Sequence, residues 1–166
     1  TLDDKRNALK YLSHFSRHLR QIIENASSLT VTADKEIKML RQYLELEQIR
    51  FENKFDFSIE QPANAEDRLT EIPSMLVYPF AEAALYQHIL VKKQGRGQLQ
   101  IQFQKQGDNF EVIISDNGDG DNAANAFLAK REGAEFIHTL NMAYEQIELL
   151  NYGRSKKILV TKEDFK

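Results

Sequence analysis

The sequence contains no cysteine, which excludes disulfides, thiolate metal sites and cysteine nucleophiles and fits a reducing compartment. It also lacks an excess of positive charge. Against 25 Asp and Glu there are 22 Lys and Arg, a net charge of −3, so no overall basic field is present to grip a phosphate backbone and nucleic acid is a poor first partner. No run approaches the ~20 apolar residues that a membrane helix needs, and no signal-like segment opens the chain. What is present, 42% hydrophobic and 28% charged residues over 166 positions, is ordinary for a folded chain. A chain of this order buries about two-thirds of its unfolded surface without a covalent staple. One domain, or one domain with a helical appendage, is expected. The start at Thr1, running straight into a helical pattern, reads as a piece of something longer.

The stretch that organises the rest is Ile113-Ile114-Ser115-Asp116-Asn117-Gly118-Asp119-Gly120, an apolar run that stops at an acidic, glycine-rich corner. A lone carboxylate at the end of a buried strand, with glycines that let backbone approach a flat ligand, is one way to hold a purine ring. The plainer reading is a polar turn, which Asn-Gly and Asp-Gly favour whatever the function. A calcium loop fails on spacing, because the twelfth position from Asp116 or Asn117 is Phe127 or Leu128 and supplies no bidentate acid.

Around that corner the periodicity predicts the following order. Leu9, Leu12, Phe15 or Ser16, Leu19, Ile22 and Ile23 recur at three- and four-residue steps, an amphipathic helix over 3–26. Thr32 with Asp34 and Glu36 caps a second helix to about Phe51, burying Ile37, Leu40, Leu44 and Ile49. So narrow a hairpin commonly completes its core against a second copy. Phe55, Phe57 and Ile59 alternate with polar residues as a strand, and 61–71 reads as a loop. A third helix is expected from about Ser74 to Val91, with Pro73 at its start and Pro79 in its first turn. Leu99, Ile101 and Phe103, then Phe110, Val112 and Ile114, form a hairpin about Gln106-Gly107-Asp108-Asn109. Residues 121–133 read as a short helix or loop, Glu135 to Leu150 as a helix, and Ile158 with Val160 as a closing strand. The sum is an α+β chain: a helical hairpin, then a two-layer sandwich with helices on one face of a mostly antiparallel sheet.

Several of these pieces together resemble the sensor histidine kinases of the LytS type, whose ATP-binding domain belongs to the GHKL (Bergerat) group shared with gyrase and MutL. Tyr11-Leu12-Ser13-His14-Phe15-Ser16-Arg17-His18-Leu19-Arg20 resembles the segment after the phosphoacceptor box. Tyr43-Leu44-Glu45-Leu46-Glu47-Gln48-Ile49-Arg50-Phe51, leading to Phe55-Asp56-Phe57, is similar to the linker helix and first strand. Ile72 to Ala84 resembles the N box, Asp116-Asn117-Gly118-Asp119-Gly120 the first glycine box, and Glu145 to Asn151 the last helix. The resemblance implies a dimerisation and linker segment over 1–52 and a GHKL ATPase-like domain over 53–166. It implies ATP and magnesium as cofactors, and a nucleotide site of Asp116, Asn117, Gly118, Gly120 and Glu82. Asp116 would accept from the adenine amino group, Gly118 would let the ring approach and Gly120 would start the lid. The implied partners are a second copy through the N-terminal helices and the receiver domain of a response regulator. The implied place is the cytoplasmic part of a membrane-anchored sensor, without direct membrane contact.

Departures from the family pattern fall on the chemistry. Where the family's N box has Glu-Asn, with the Asn ligating magnesium, Glu82 is followed by Ala83, which has no oxygen to offer a hard cation. The family's His-Gly corresponds to Gln87-His88. Its second glycine box corresponds to Ile137-His138-Thr139-Leu140, and Thr139 does not visit positive φ cheaply. Two such losses, at ~1.5–3 kcal/mol for each charged-partner interaction, predict weak or absent ATP binding, and no catalytic residue is named. Residual kinase chemistry would need compensating phosphate ligands such as Gln87 or His88; the alternative is a pseudokinase module that binds a partner or transmits a signal without turnover. His14 reads as a solvent-facing helix histidine, since the acceptor box of the family lies upstream. His18, His88 and His138 lack the helical partners of a zinc site. Lys10, His14, Arg17 and Arg20 share one side of the first helix, a basic face suited to an acidic receiver domain.

Overall fold

A computed structural model describes residues 2–26, 28–119, 131–153, 155 and 157–161, with side chains outside the description at 2–4, 7, 10, 14, 18, 21, 24–26 and 131–138. Helix α1 (Leu2–Ala26) lies along α2 (Ala33–Arg50). Its Tyr11 and Ile22 are half-buried, whereas Leu9, Leu12, Phe15, Leu19 and Ile23 remain exposed on one side. α2 begins where the sequence predicts: the Thr32 hydroxyl accepts from the Lys35 amide at 3.4 Å, with Asp34 and Glu36 in the first turn. That geometry satisfies one orphan amide and places acid at the positive end of the helix dipole. α2 is buried on more than one side, because it is sandwiched between α1 and the sheet. Ala33, Ile37, Leu40, Tyr43 and Leu44 join one hydrophobic cluster with Phe55, Ile59, Leu85, Leu99, Ile101 and Phe103, and Ile49 is half-buried.

Three strands form the main sheet in the order β2-β4-β5: β2 (Phe55–Glu60), β4 (Gly97–Gln106) and β5 (Asn109–Asp116). β4 and β5 are the expected antiparallel hairpin about Gly107, whose φ of +59° suits the turn. β2 pairs with β4 in parallel, so the sheet is mixed rather than mostly antiparallel. Parallel pairing needs a long crossover, and the chain between β2 and β4 supplies it through α3 (Ala65–Arg68), β3 (Glu71–Pro73) and α4 (Tyr78–Ala83, continued in π geometry over Ala84–Ile89). The alternation of β4 sends Leu99, Ile101 and Phe103 to the helices and Gln98 and Gln100 to the outer face. Register then places Asp116, opposite Leu99, on the helix side and Ser115, opposite Gln100, on the outer side.

Three expectations need correction. The stretch 61–71 is not wholly loop: it holds the one-turn helix α3 and the start of β3, which pairs antiparallel with β1 (Thr30–Thr32). The third helix starts at Tyr78 rather than Ser74. Pro73 ends β3, and Pro79 is the proline in the first helical turn. Residues 74–77 turn back with Met75 at φ +58°, and the amides of Met75 and Val77 donate to the buried Glu36 carboxylate at 3.2 and 3.3 Å. From Ala84 to Ile89 this helix, α4, widens to π geometry. Finally, Ile158 and Val160 are in no strand. The Ile158 backbone is satisfied by Asn151, whose amide donates to its carbonyl at 2.8 Å and accepts from its N–H at 2.7 Å, so it needs no sheet partner. The last helix, α5 (Arg131–Asn151), is longer than predicted and packs on α4, with Phe80 edge-on to Tyr144.

Candidate functional site

The acidic corner closes β5 against the end of α4. Asp116 Oδ2 lies 2.9 Å from His88 Nδ1, and Asp116 Oδ1 accepts from the Gly118 N–H at 2.8 Å. Both side chains are mostly withdrawn from water, at 20% exposure for His88 and 18% for Asp116. Asn117 ties the corner to β4: its Oδ1 accepts from the Gln98 N–H at 2.8 Å and its Nδ2 donates to the Arg96 carbonyl at 3.2 Å. Lys92 donates to the Asn117 carbonyl, and Asp119 Oδ2 accepts from the Lys93 N–H at 2.9 Å. Gly118 is in tight contact with α4. A Cβ there would come within 2.5 Å of His88 Cβ and 2.7 Å of the His88 carbonyl carbon and oxygen, so the missing side chain serves a close backbone approach. Gly120 and most of 121–133 lie outside the described residues, as do the side chains of Lys10, His14, His18 and His138; Arg17 and Arg20 are exposed.

Glu82 is placed elsewhere. Its partners are on α2 and α4: Tyr78 OH donates to it at 3.5 Å, and burial, with Glu47 adding repulsion, pushes its carboxyl up to about 7. Glu47, 4% exposed, accepts from Tyr86 OH at 2.5 Å, and Arg50 lies 3.7 Å from it while donating to Tyr86 OH at 2.9 Å. Burial first, and then Glu82 for Tyr78 and the Glu47 hydrogen bond for Tyr86, raises both phenols. Glu47, Tyr78, Glu82 and Tyr86 therefore make a polar seam between α2 and α4, a joint that periodicity alone does not disclose. The corner residues Asp116, Asn117 and Gly118 are brought together, and Glu82 has its partners in this separate seam.

A hollow at the corner is lined by Asp56, Ser58, Gln98, Gln100 and Ser115 on the outer face of the sheet, and by Asp116 and Asn117 at its end. On the helix face the described side chains supply no group of magnesium ligands. Each Asp116 oxygen has one protein partner, Gly118 rests on His88, and the Ala83 side chain offers no ligand atom. Among the described residues no group of three or more His, Asp or Glu side chains could hold a metal ion. Thr139 lies inside α5, half-buried, so helix runs through the position of the family's second glycine box. The sequence carried a signal for the His88 contact, since a histidine stands where the family pattern has glycine, but its acceptor lies 28 positions away.

A mixed sheet covered by helices, with a helical N-terminal segment and a carboxylate corner facing α4, is an α+β arrangement compatible with a two-layer sandwich, and comparison with known proteins adds what the chain resembles. The family model described as histidine kinase matches residues 1–55. More particularly, the chain is 27% identical over 146 residues to the sensor histidine kinase/phosphatase LytS of Staphylococcus aureus strain Mu50, with the same figures for strains N315 and COL. These matches cover 87% of this chain and 24% of each relative, so the chain spans about a quarter of their length. The chain thus resembles LytS-type sensor histidine kinases over most of its length.

Proposed function

We propose that the chain is the cytoplasmic GHKL ATPase-like domain of a LytS-type sensor histidine kinase with part of its dimerisation helices, acting in two-component signalling as a transmitting module with a degenerate nucleotide site. The observation that carries this reading is the His88 imidazole seated on Asp116 Oδ2 at 2.9 Å, with the Gly118 N–H on Oδ1, so that a protein group takes one acceptor position on each oxygen. Ala83, in place of a magnesium ligand, supports it independently. On this reading 1–52 forms the dimerisation and linker segment and 53–166 the ATPase-like domain. The exposed stripe of Leu9, Leu12, Phe15, Leu19 and Ile23 supports a homodimer through α1, and the receiver domain of a response regulator is the expected partner. The domain sits at the cytoplasmic end of a membrane-anchored sensor; among the described residues no helix is long and apolar enough to cross a membrane.

In an active relative the bound magnesium nucleotide supplies the γ-phosphoryl group and its charge neutralisation. Here the chain's own residues position helices: the seam of Tyr78, Glu82, Tyr86 and Glu47 fastens α4 to α2, and α2 continues to the α1 hairpin. The test is phosphotransfer by the full-length polypeptide with γ-labelled ATP and magnesium. No acid-labile label is expected on the protein. Label appearing on a histidine at a rate typical of kinases would overturn the degenerate reading.

A further inference from the structure

We propose that His88 is an internal ligand of Asp116, its imidazole standing where the amino group of a purine would donate, so that the corner is closed to adenine compounds by the chain itself. This rests on reading the corner as an inherited purine pocket and names what occupies it. An ionised carboxylate only accepts hydrogen bonds, so His88 Nδ1 carries the proton it shares with Asp116 Oδ2 across 2.9 Å. Each side chain keeps only about a fifth of its surface in water, although Asp116 as a whole residue lies at the exposed end of β5.

The backbone closes the same space. With a notional Gly118 Cβ only 2.5 to 2.7 Å from His88 atoms, residues 88 and 118 are in contact and no flat ring passes between them. The flanking bonds fix that contact from both sides: Asn117 to Gln98 and Arg96, and Asp119 to Lys93. The π geometry of Ala84–Ile89 places His88 at this point, with the Leu90 N–H bonded back to the Leu85 carbonyl at 2.8 Å. Such widened turns re-aim the side chains that follow them. On this reading an adenine amino group takes the Oδ2 position of Asp116, between α4 and the corner, only if His88 leaves it.

The experiment is calorimetric titration with ADP in the absence of magnesium, a probe that tests the adenine end alone. Wild type is expected to bind no ADP at millimolar concentration. His88→Gly, which removes the imidazole and its Cβ, and His88→Ala, which spares the helix more, are each expected to bind at least tenfold more tightly than wild type. Adding Asp116→Asn to either is expected to abolish the gain. Folded His88→Gly and His88→Ala proteins that bind no better than wild type overturn the inference, as does wild type that already binds ADP through Asp116. If both variants fail to fold, nitrogen-15 spectra of the wild-type imidazoles decide: a His88 ring protonated on Nδ1 and perturbed by Asp116→Asn supports the pairing, and one protonated on Nε2 and indifferent to Asp116 overturns it. These outcomes separate from the test of the proposed function. Phosphotransfer by wild type sinks the degenerate reading, whereas ADP-blind His88 variants sink only the internal ligand.

Discussion

Glu36 is the most deeply buried carboxylate described, with no exposed surface, and burial pushes it up from 4.5 to about 7 despite the amides of Met75 and Val77 that favour its charged form. The folded state therefore holds a proton that the unfolded chain has released across about pH 4.5 to 7. Its contribution to stability is complete below the lower value and is lost as pH rises through the upper one. Glu82 titrates in the same direction. The urea midpoint is expected to be higher at pH 5.5 than at pH 7.5, with Glu36 supplying up to about 2 kcal/mol of the difference. Glu36→Gln, which keeps an acceptor and loses the titration, should flatten the profile; an unchanged slope would contradict the assignment. At Gly118 the expectation is steric. Gly118→Ala forces a methyl against the backbone of α4 and should lower stability by about 1–3 kcal/mol, measured by urea unfolding. A neutral effect would mean that the corner and α4 are not in contact.

Between elements, two surfaces carry most of the consequence. The α2–α4 seam leaves Glu47 with Tyr86 as hydrogen-bond donor and Arg50 as ion-pair partner. Tyr86→Phe removes one donor from a buried carboxylate and should cost about 1–3 kcal/mol, read from the same unfolding curves; no loss would show that the seam is not load-sharing. The exposed stripe of α1 offers leucine and isoleucine side chains, each worth about 1.5–3 kcal/mol when fully buried. Sedimentation should find a dimer, and Leu12→Glu with Ile23→Glu should weaken it at least tenfold, a change that needs only about 1.4 kcal/mol. A wild-type monomer would remove α1 as a dimer face. Elements with a sustained period were legible in the sequence: α2 with its Thr32 cap, β2, and the β4–β5 hairpin. β1 and β3 were not, because three residues establish no alternation. The start of α4 was misplaced because Pro73 mimics a first-turn proline, and only the loop bonded to Glu36 shows that the helix begins beyond it.

At the scale of the whole molecule, the corner itself was readable because Asp116, Asn117 and Gly118 are neighbours in sequence. What faces it was not, since His88 reaches Asp116 only after the crossover and the hairpin have been folded. The same limit applies to Glu82, whose place in an N-box-like stretch does not disclose its tyrosine and Glu47 neighbours. The parallel pairing of β2 with β4 likewise follows from a crossover whose handling of β3 and α4 is tertiary.

The most direct measurement is calorimetric titration of the wild-type chain with ATP, with and without magnesium. Heat indistinguishable from dilution in both is the expected result, since the carboxylate at the end of β5 is engaged and no magnesium ligand stands at position 83. Micromolar binding that requires magnesium and disappears in Asp116→Asn would contradict it.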